Sequence, residues 1–342
     1  MRSISYRSKV RLRKGLKIGL AALGLGLLCL ALFVVYLGRY VVYTPEGAKL
    51  DFGRDTSKDM TLAPETQATD NPVASVHIEY ADPSQRGDGS VPVSGWYIDL
   101  EMLQDPEAVL EGVKALEPGC TVMMDLKGAN GSFYYSSSIP GARQADIDIA
   151  KVDAAISNLR NRGFTMVARI RSFTDSAYAL EHISSSLRTS GGALWVGGGF
   201  YWLDPAKEDV VAYLKQIARE LGEKGFKEIV FDDFRFPNGS QIAYDKEVDR
   251  DALVESVAKD LMNYFASSNI TVSFGNPSGS LSLPARSHVY LSNVAGSGVS
   301  AALGGYPNLE DPQSQIVFLT GSKDKRFEGC QILRPLLTKL IQ

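Results

Sequence analysis

Apolar positions along the chain fall into three regimes. From Ile18 to Gly38 they form an unbroken uncharged run of 21 residues. At about 1.5 Å per residue that makes a helix of about 31 Å, long enough to cross a bilayer core. From Tyr43 to about Asn71 apolar residues thin out among Thr, Asp, Gly and Pro with almost no periodicity, which predicts a flexible stalk. From Pro72 to Gln342 short apolar runs alternate with segments of helical spacing. The runs predict strands at Ser75–Tyr80, Gly95–Leu100, Thr121–Leu126, Phe164–Ile170, Glu228–Phe234, Ile270–Phe274, His288–Ser292 and Gln315–Leu319. The helical spacings predict helices at Pro106–Leu116, Ala145–Arg162, Lys207–Glu223 and Lys246–Ser267. Such alternation marks an α/β fold with a parallel sheet and helices packed outside it, and eight strands suit a closed TIM-type (β/α)₈ barrel. After Asn276 the chain turns Gly- and Ser-rich with weak helical signals, so any irregularity of the barrel is expected in its C-terminal half.

Charge gives the apolar run an orientation. Arg2, Arg7, Lys9, Arg11, Arg13, Lys14 and Lys17 precede it, and Arg39 follows it. The positive-inside rule then predicts a basic cytoplasmic tail at 1–17, a transmembrane signal anchor at 18–38, an extracytoplasmic stalk at 39–71 and an extracytoplasmic domain at 72–342. The expected location is the cell membrane, crossed once. The run is longer than the apolar core of a cleaved signal peptide, and no small-x-small site follows it. Eight of the 36 basic residues precede position 40 while all 39 acidic residues follow it, so the exported part carries a net charge of about −11. An acidic domain argues against nucleic acid as a partner. Cys120 and Cys330 are the exported cysteines. Export permits a disulfide between them, but their spacing does not establish its geometry.

Candidate chemistry gathers at strand ends, where parallel α/β folds place it. Asp125 and Lys127 end one predicted strand, Arg169, Arg171 and Asp175 follow another, and Asp99 and Glu101 follow a third. The richest stretch runs from Trp202-Leu203-Asp204-Pro205, through an amphipathic helix, to Glu228-Ile229-Val230-Phe231-Asp232-Asp233-Phe234-Arg235-Phe236-Pro237. Each charged residue alone reads as a salt bridge or loop cap, but four converging strand ends make a pocket. Asp232 and Asp233 point to opposite faces of a regular strand, and the pattern does not choose between them. Trp195, Tyr201 and Trp202 lie among glycines, and Tyr134 and Tyr135 follow a Gly-containing turn. These aromatics either stack on sugar rings or pack their loops onto the domain. Only His77, His182 and His288 occur, without zinc-ligand spacing, and no G-x-S-x-G elbow or P-loop is present. No cofactor or metal is expected.

Four elements together resemble a bacterial family described as putative glycoside hydrolases, TIM-barrel domains that are often exported or membrane-anchored. They are Asp125 with Lys127, Ala168-Arg169-Ile170 with Phe173 and Asp175, Trp202 to Pro205, and Glu228 to Pro237, over roughly Gly95 to Ser240. The resemblance implies that Asp232 faces inward, with Asp125 as the second acidic group and Arg169 and Arg235 as supporting cations. Asp233 stands where the family often has an aromatic residue. The family's later Tyr-Pro-Ser-His segment and Trp-Asn-rich end have no counterpart, so the second half is expected to diverge.

Glycoside hydrolysis ordinarily needs one carboxylic acid and one carboxylate. Strand ends after Ile270 are neutral, at Ser273-Phe274-Gly275 and Leu291-Ser292-Asn293, so both groups must come from the first half. The leading expectation is a membrane-anchored enzyme acting on a cell-envelope or extracellular polysaccharide. Asp232 would be the nucleophile or charge stabiliser and Asp125 the acid/base. Lys127 and Arg169 would tune them, Arg235 would support as a cation, and Trp195, Trp202 and Tyr134 would hold sugars. The alternative is a barrel that binds glycan or a partner protein and catalyses nothing.

Overall fold

A computed structural model describes residues 93–239 and 241–337, together with the backbone of 41–44 and 47–50. The tail 1–17, the apolar run 18–38, the predicted strand at 75–80 and most of the stalk lie outside the described residues. Within the segment predicted to be a stalk, Val41–Thr44 pairs antiparallel with Gly47–Leu50. Among the described residues no helix is long and apolar enough to cross a membrane.

Eight parallel strands close into a barrel. They are β1 (Ser94–Ile98), β2 (Thr121–Lys127), β3 (Thr165–Arg171), β4 (Glu228–Asp232), β5 (Thr271–Gly275), β6 (Val289–Ser292), β7 (Ile316–Leu319) and β8 (Gln331–Pro335). Each pairs in parallel with the next, and β8 pairs back onto β1. Alternate side chains Met123, Val167, Val230, Tyr290, Val317 and Leu333 fill the interior as one apolar cluster. Their outward neighbours pack beneath the helices. A strand covered on both faces must be apolar nearly throughout, which is why all of β2 is buried.

The helices are α1 (Pro106–Ala115), α2 (Ile149–Asn161), α3 (Ser176–Glu181), α4 (Glu208–Glu223), α5 (Arg250–Tyr264), α6 (Val299–Gly304) and α7 (Pro312–Gln315). Acidic N-caps start several of them. Asp105 accepts from the Ala108 amide ahead of Pro106, and Asp249 accepts from the Asp251 and Ala252 amides. In α4 the residues Val210, Val211, Leu214, Ile217, Ala218 and Leu221 form the buried stripe that their spacing predicts.

The barrel departs from expectation at its closure, and it is irregular in its second half, where the Gly- and Ser-rich sequence leads one to expect it. The closing strand is Gln331–Pro335, which the apolar pattern does not reveal. It holds one fully buried residue, Leu333, and ends on a proline, tolerated only at a strand's margin. From β5 to β6 the chain runs without a helix, α6 and α7 span six and four residues, and a 3₁₀ turn at Lys325–Phe327 stands between β7 and β8. Cys120 and Cys330 are free thiols. They directly precede β2 and β8, which flank β1, so about two strand spacings of ~4.8 Å separate them, beyond the ~7 Å reach of a disulfide.

Candidate active site

The C-terminal ends of β2, β3 and β4 bring Asp125, Arg169, Arg171 and Asp232 onto one face of the barrel. Asp125 and Arg169 occupy paired positions on adjacent strands. The guanidinium binds the carboxylate through two bonds, Nε to Oδ1 at 2.6 Å and Nη2 to Oδ2 at 2.7 Å. Nη1 of the same guanidinium lies 3.9 Å from Asp232 Oδ2. Arg171, two residues along β3 and so on the same face, places Nη1 3.3 Å from Asp232 Oδ2 and 2.8 Å from Asp233 Oδ2. Asp233 also meets Arg235 Nε at 3.3 Å.

Asp232 and Asp233 thus share one guanidinium nitrogen as ion-pair partner although they are neighbours in sequence. Alternation fails because β4 stops at Asp232 and Asp233 turns left-handed, with φ 55°. The same event closes the next two strands. Asn276 after β5 has φ 45° and Asn293 after β6 has φ 62°, and with Asp233 these are the non-glycine residues of positive φ among those described. Asn276 donates from Nδ2 to Asp232 Oδ1 at 3.1 Å and to Ser292 Oγ at 3.2 Å. Gly275 leaves the space that this contact needs, since a Cβ there would stand 2.3 Å from Asp232 Oδ1.

The electrostatics follow from burial. Asp125 and Asp232 are 8% and 2% exposed. Burial pushes the Asp125 carboxyl above its ordinary pKa, with Arg169 opposing and Asp232 and Asp99 adding to the rise. Burial also works against the Arg169 charge, but Asp125, Asp232 and Asp99 outweigh it and hold the guanidinium protonated. The carboxylates of Asp99, Asp125, Asp232 and Asp233 outnumber the guanidinium groups of Arg169, Arg171 and Arg235 by one. Nearby, burial raises the Tyr97 hydroxyl, with Asp99 and Asp125 adding and Arg169 opposing. Among the described residues no cluster of three or more His, Cys, Asp and Glu is placed to hold a metal ion.

Several residues expected to act in the pocket are engaged in other contacts. Lys127 is fully buried away from the acidic face, bonded to Asp175 Oδ2 at 2.8 Å and to the Arg171 carbonyl at 3.1 Å. A register shift in β2 between Asp125 and Lys127 accompanies this separation. Trp195 and Trp202 form an edge-to-face pair with centroids 6.0 Å apart, and both are buried. They pin the short hairpin of Val196–Gly197 and Phe200–Tyr201, with Trp202 Nε1 donating to the Gly197 carbonyl. Tyr134 is buried in the same core. Large rings gain most by leaving water, so these aromatics pack their loops and offer no open stacking face. Arg235 does reach the cluster through Asp233, and its guanidinium also lies over the Trp202 ring at 5.5 Å. Arg171 belongs to the converging strand ends that the sequence singles out, whereas Asn276 and Ser292 carry no role in it. A search for carboxylate pairs passes over an amide and a hydroxyl.

Among solved structures, the galactosidase domain of the α-galactosidase–sucrose kinase AgaSK superposes with a TM-score of 0.52 at 13% identity, over 74% of this chain and 38% of that one. The α-galactosidase from Lactobacillus brevis matches with a TM-score of 0.49 at 11% identity, over 74% of this chain and 38% of that one. A hypothetical protein from Ruminiclostridium thermocellum shares 22% identity over 52% of this chain and 96% of its own, with a TM-score of 0.45. The chain therefore spans well under half of the two galactosidases, and the AgaSK likeness speaks for the barrel fold alone. No curated protein matches. Residues 95–273, just over half of the chain, match the model of a family described as "Putative glycosyl hydrolase domain", and the chain belongs to that family.

Proposed function

We propose that the acidic face at the C-terminal end of the barrel hydrolyses glycosidic bonds, with Asp232 as nucleophile or charge stabiliser and Asp125 as acid/base. One observation carries this reading: a single guanidinium, Arg169, touches both carboxylates. Its span keeps them within roughly 9 Å, compatible with the ~5–9.5 Å separations of retaining and inverting glycosidases. The raised pKa of Asp125 favours a proton on the group that must donate one to the leaving oxygen. Arg169 and Arg171 would hold Asp232 in place. The apolar run 18–38 and its basic flank support a signal anchor, which would place the domain outside the membrane, where cell-envelope or extracellular polysaccharide is the available substrate.

A second reading is favoured by a specific feature. Both oxygens of Asp125 are occupied by Arg169, and Asp232 is almost wholly buried, as in a barrel that binds glycan or a partner protein without cleaving it. A panel of polysaccharides separates the two: α-galactosides, chitosan, alginate and peptidoglycan sacculi, each tested for binding and for new reducing ends. Wild type should release reducing ends from one of them, and Asp232→Asn should bind that glycan without cleaving it. Binding by both with no product from either would establish the second reading. Equal cleavage by both would remove Asp232 from the mechanism.

A further inference from the structure

The half of the barrel that supplies no carboxylate nevertheless holds Asp232. Its Oδ2 faces Arg171 and Arg169 from β3, while its Oδ1 is met from β5 by Asn276. Asn276 stands in the left-handed region at φ 45°, where glycine is the default and asparagine is a tolerated substitute. Backbone geometry alone would therefore select glycine, so the side chain needs its own reason.

Three contacts provide that reason. Nδ2 donates to Asp232 Oδ1 and to Ser292 Oγ, and Oδ1 accepts from the Ser292 amide at 3.4 Å. The amide end of β6 thereby fixes which way round Asn276 lies. A flipped amide would set its oxygen against the Asp232 carboxylate and its NH₂ against the Ser292 N–H. Gly275, one residue earlier, completes the device by leaving the space into which Asp232 Oδ1 projects.

We propose that Asn276 is a positioning residue for Asp232, locked in its working orientation by Ser292. The left-handed turn after β5 aims the amide across the barrel mouth, one N–H on the carboxylate and one on the Ser292 hydroxyl. The carboxylate is then bound from both sides, by guanidinium groups on one oxygen and an amide on the other. The catalytic part of this claim rests on Asp232 being the reacting carboxylate, and the structural part does not.

The test uses the full-length chain and two measurements, thermal melting and cleavage of whichever panel polysaccharide wild type hydrolyses. Asn276→Asp sets a carboxylate against Asp232 and should lower the melting midpoint by about 4 °C or more. In an Asp232→Asn background the same substitution should cost less than half as much, because the like charge is gone. Equal losses in the two backgrounds would overturn the contact. Should Asn276→Asp not fold, Asn276→Ala, which removes the amide and carries the same backbone strain in either background, enters the same cycle with Asp232→Asn, and additive shifts would again overturn it. In cleavage, Asn276→Gly should keep the wild-type melting midpoint within about 2 °C yet lower kcat at least about tenfold, with KM within about twofold. Full kcat in Asn276→Gly would reduce Asn276 to a turn residue. If wild type cleaves nothing, the melting cycle still decides whether Asn276 holds Asp232, so failure of the hydrolase reading is distinguishable from failure of this one.

Discussion

Lys127 and Asp175 form an ion pair with no exposed side-chain surface, and Tyr213 donates to the same carboxylate at 3.0 Å. Burial, followed by the Asp175 charge, drives the Tyr213 hydroxyl far above its ordinary pKa, so Tyr213 remains a donor throughout the working range of pH. This pair explains two of the family motifs at once. The Asp-x-Lys of β2 is the mutual partner of the Arg of β3 and of the Phe-x-Asp that follows that strand, Asp125 with Arg169 on the inner face and Lys127 with Asp175 on the outer. Removing one member of a buried pair strands the other charge. Lys127→Met should lose about 3–5 kcal/mol in urea unfolding, and adding Asp175→Asn should recover part of it. Full wild-type stability in Lys127→Met would refute the pairing. Another buried pair stands at the opposite end of β4, where His288 Nδ1 lies 2.9 Å from Glu228 Oε1. Burial opposes protonation of His288, but Glu228 outweighs it and raises its pKa above 6.5. The pair's contribution to stability is thus complete below 6.5 and is lost as pH climbs through the raised value. Melting midpoints measured from pH 6 upward should fall more steeply in wild type than in His288→Gln. Parallel curves would refute the charged pair.

Elements were legible in proportion to how much their own side chains decide. The stripe of α4, with its buried Val210, Leu214 and Ile217, and the apolar runs of β2 to β7 follow from local periodicity. β8 does not, because its Gln331-Ile332-Leu333-Arg334-Pro335 becomes a strand only through its neighbours β7 and β1. The helix-poor connections after β5 were foreshadowed by weak helical spacing there. α4 also anchors the loop after β2 by a means that periodicity hides. Glu220, on its inner side, accepts from Tyr135 Oη and Ser137 Oγ at 2.7 Å, and from both the amide and the hydroxyl of Ser138. Burial alone would raise its pKa, but the bonds from Ser138, Ser137 and Tyr135 outweigh that and lower it. The anchor's contribution is therefore present above the ordinary carboxyl range and fades as pH falls through the lowered value. Glu220→Ala should cost about 1–3 kcal/mol, with faster amide hydrogen exchange concentrated at 135–139. Unchanged exchange in that loop would show that it is held by other contacts.

At the scale of the molecule, a closed parallel barrel turns residues far apart in sequence into neighbours at one rim. The chain's own pattern shows which strands end in charge, and it singled out Asp232, Asp125 and Arg169, which the fold does bring together. It could not show that Asp233 would leave the strand, that Lys127 would turn outward, or that the tryptophans would be buried, because each outcome depends on a backbone turn or a packing partner supplied elsewhere. The contribution of β5 and β6 escaped for a chemical reason, since Asn276 and Ser292 act as neutral donors and acceptors at strand ends that carry no charge. The same rim also sets a demand on β5. Gly275→Ala should displace the Asp232 carboxylate, destabilising the fold by about 1–3 kcal/mol of overpacking in thermal or urea melts, whereas an unaffected midpoint would contradict the close approach. The central claim is that Asp232 performs chemistry at this rim. Its most direct test is the rate of reducing-end release, on the polysaccharide that wild type cleaves, by folded wild type and folded Asp232→Asn. Loss of the reacting carboxylate should lower kcat at least about a hundredfold with glycan binding retained, and a rate within a few-fold of wild type would exclude Asp232 from the chemistry.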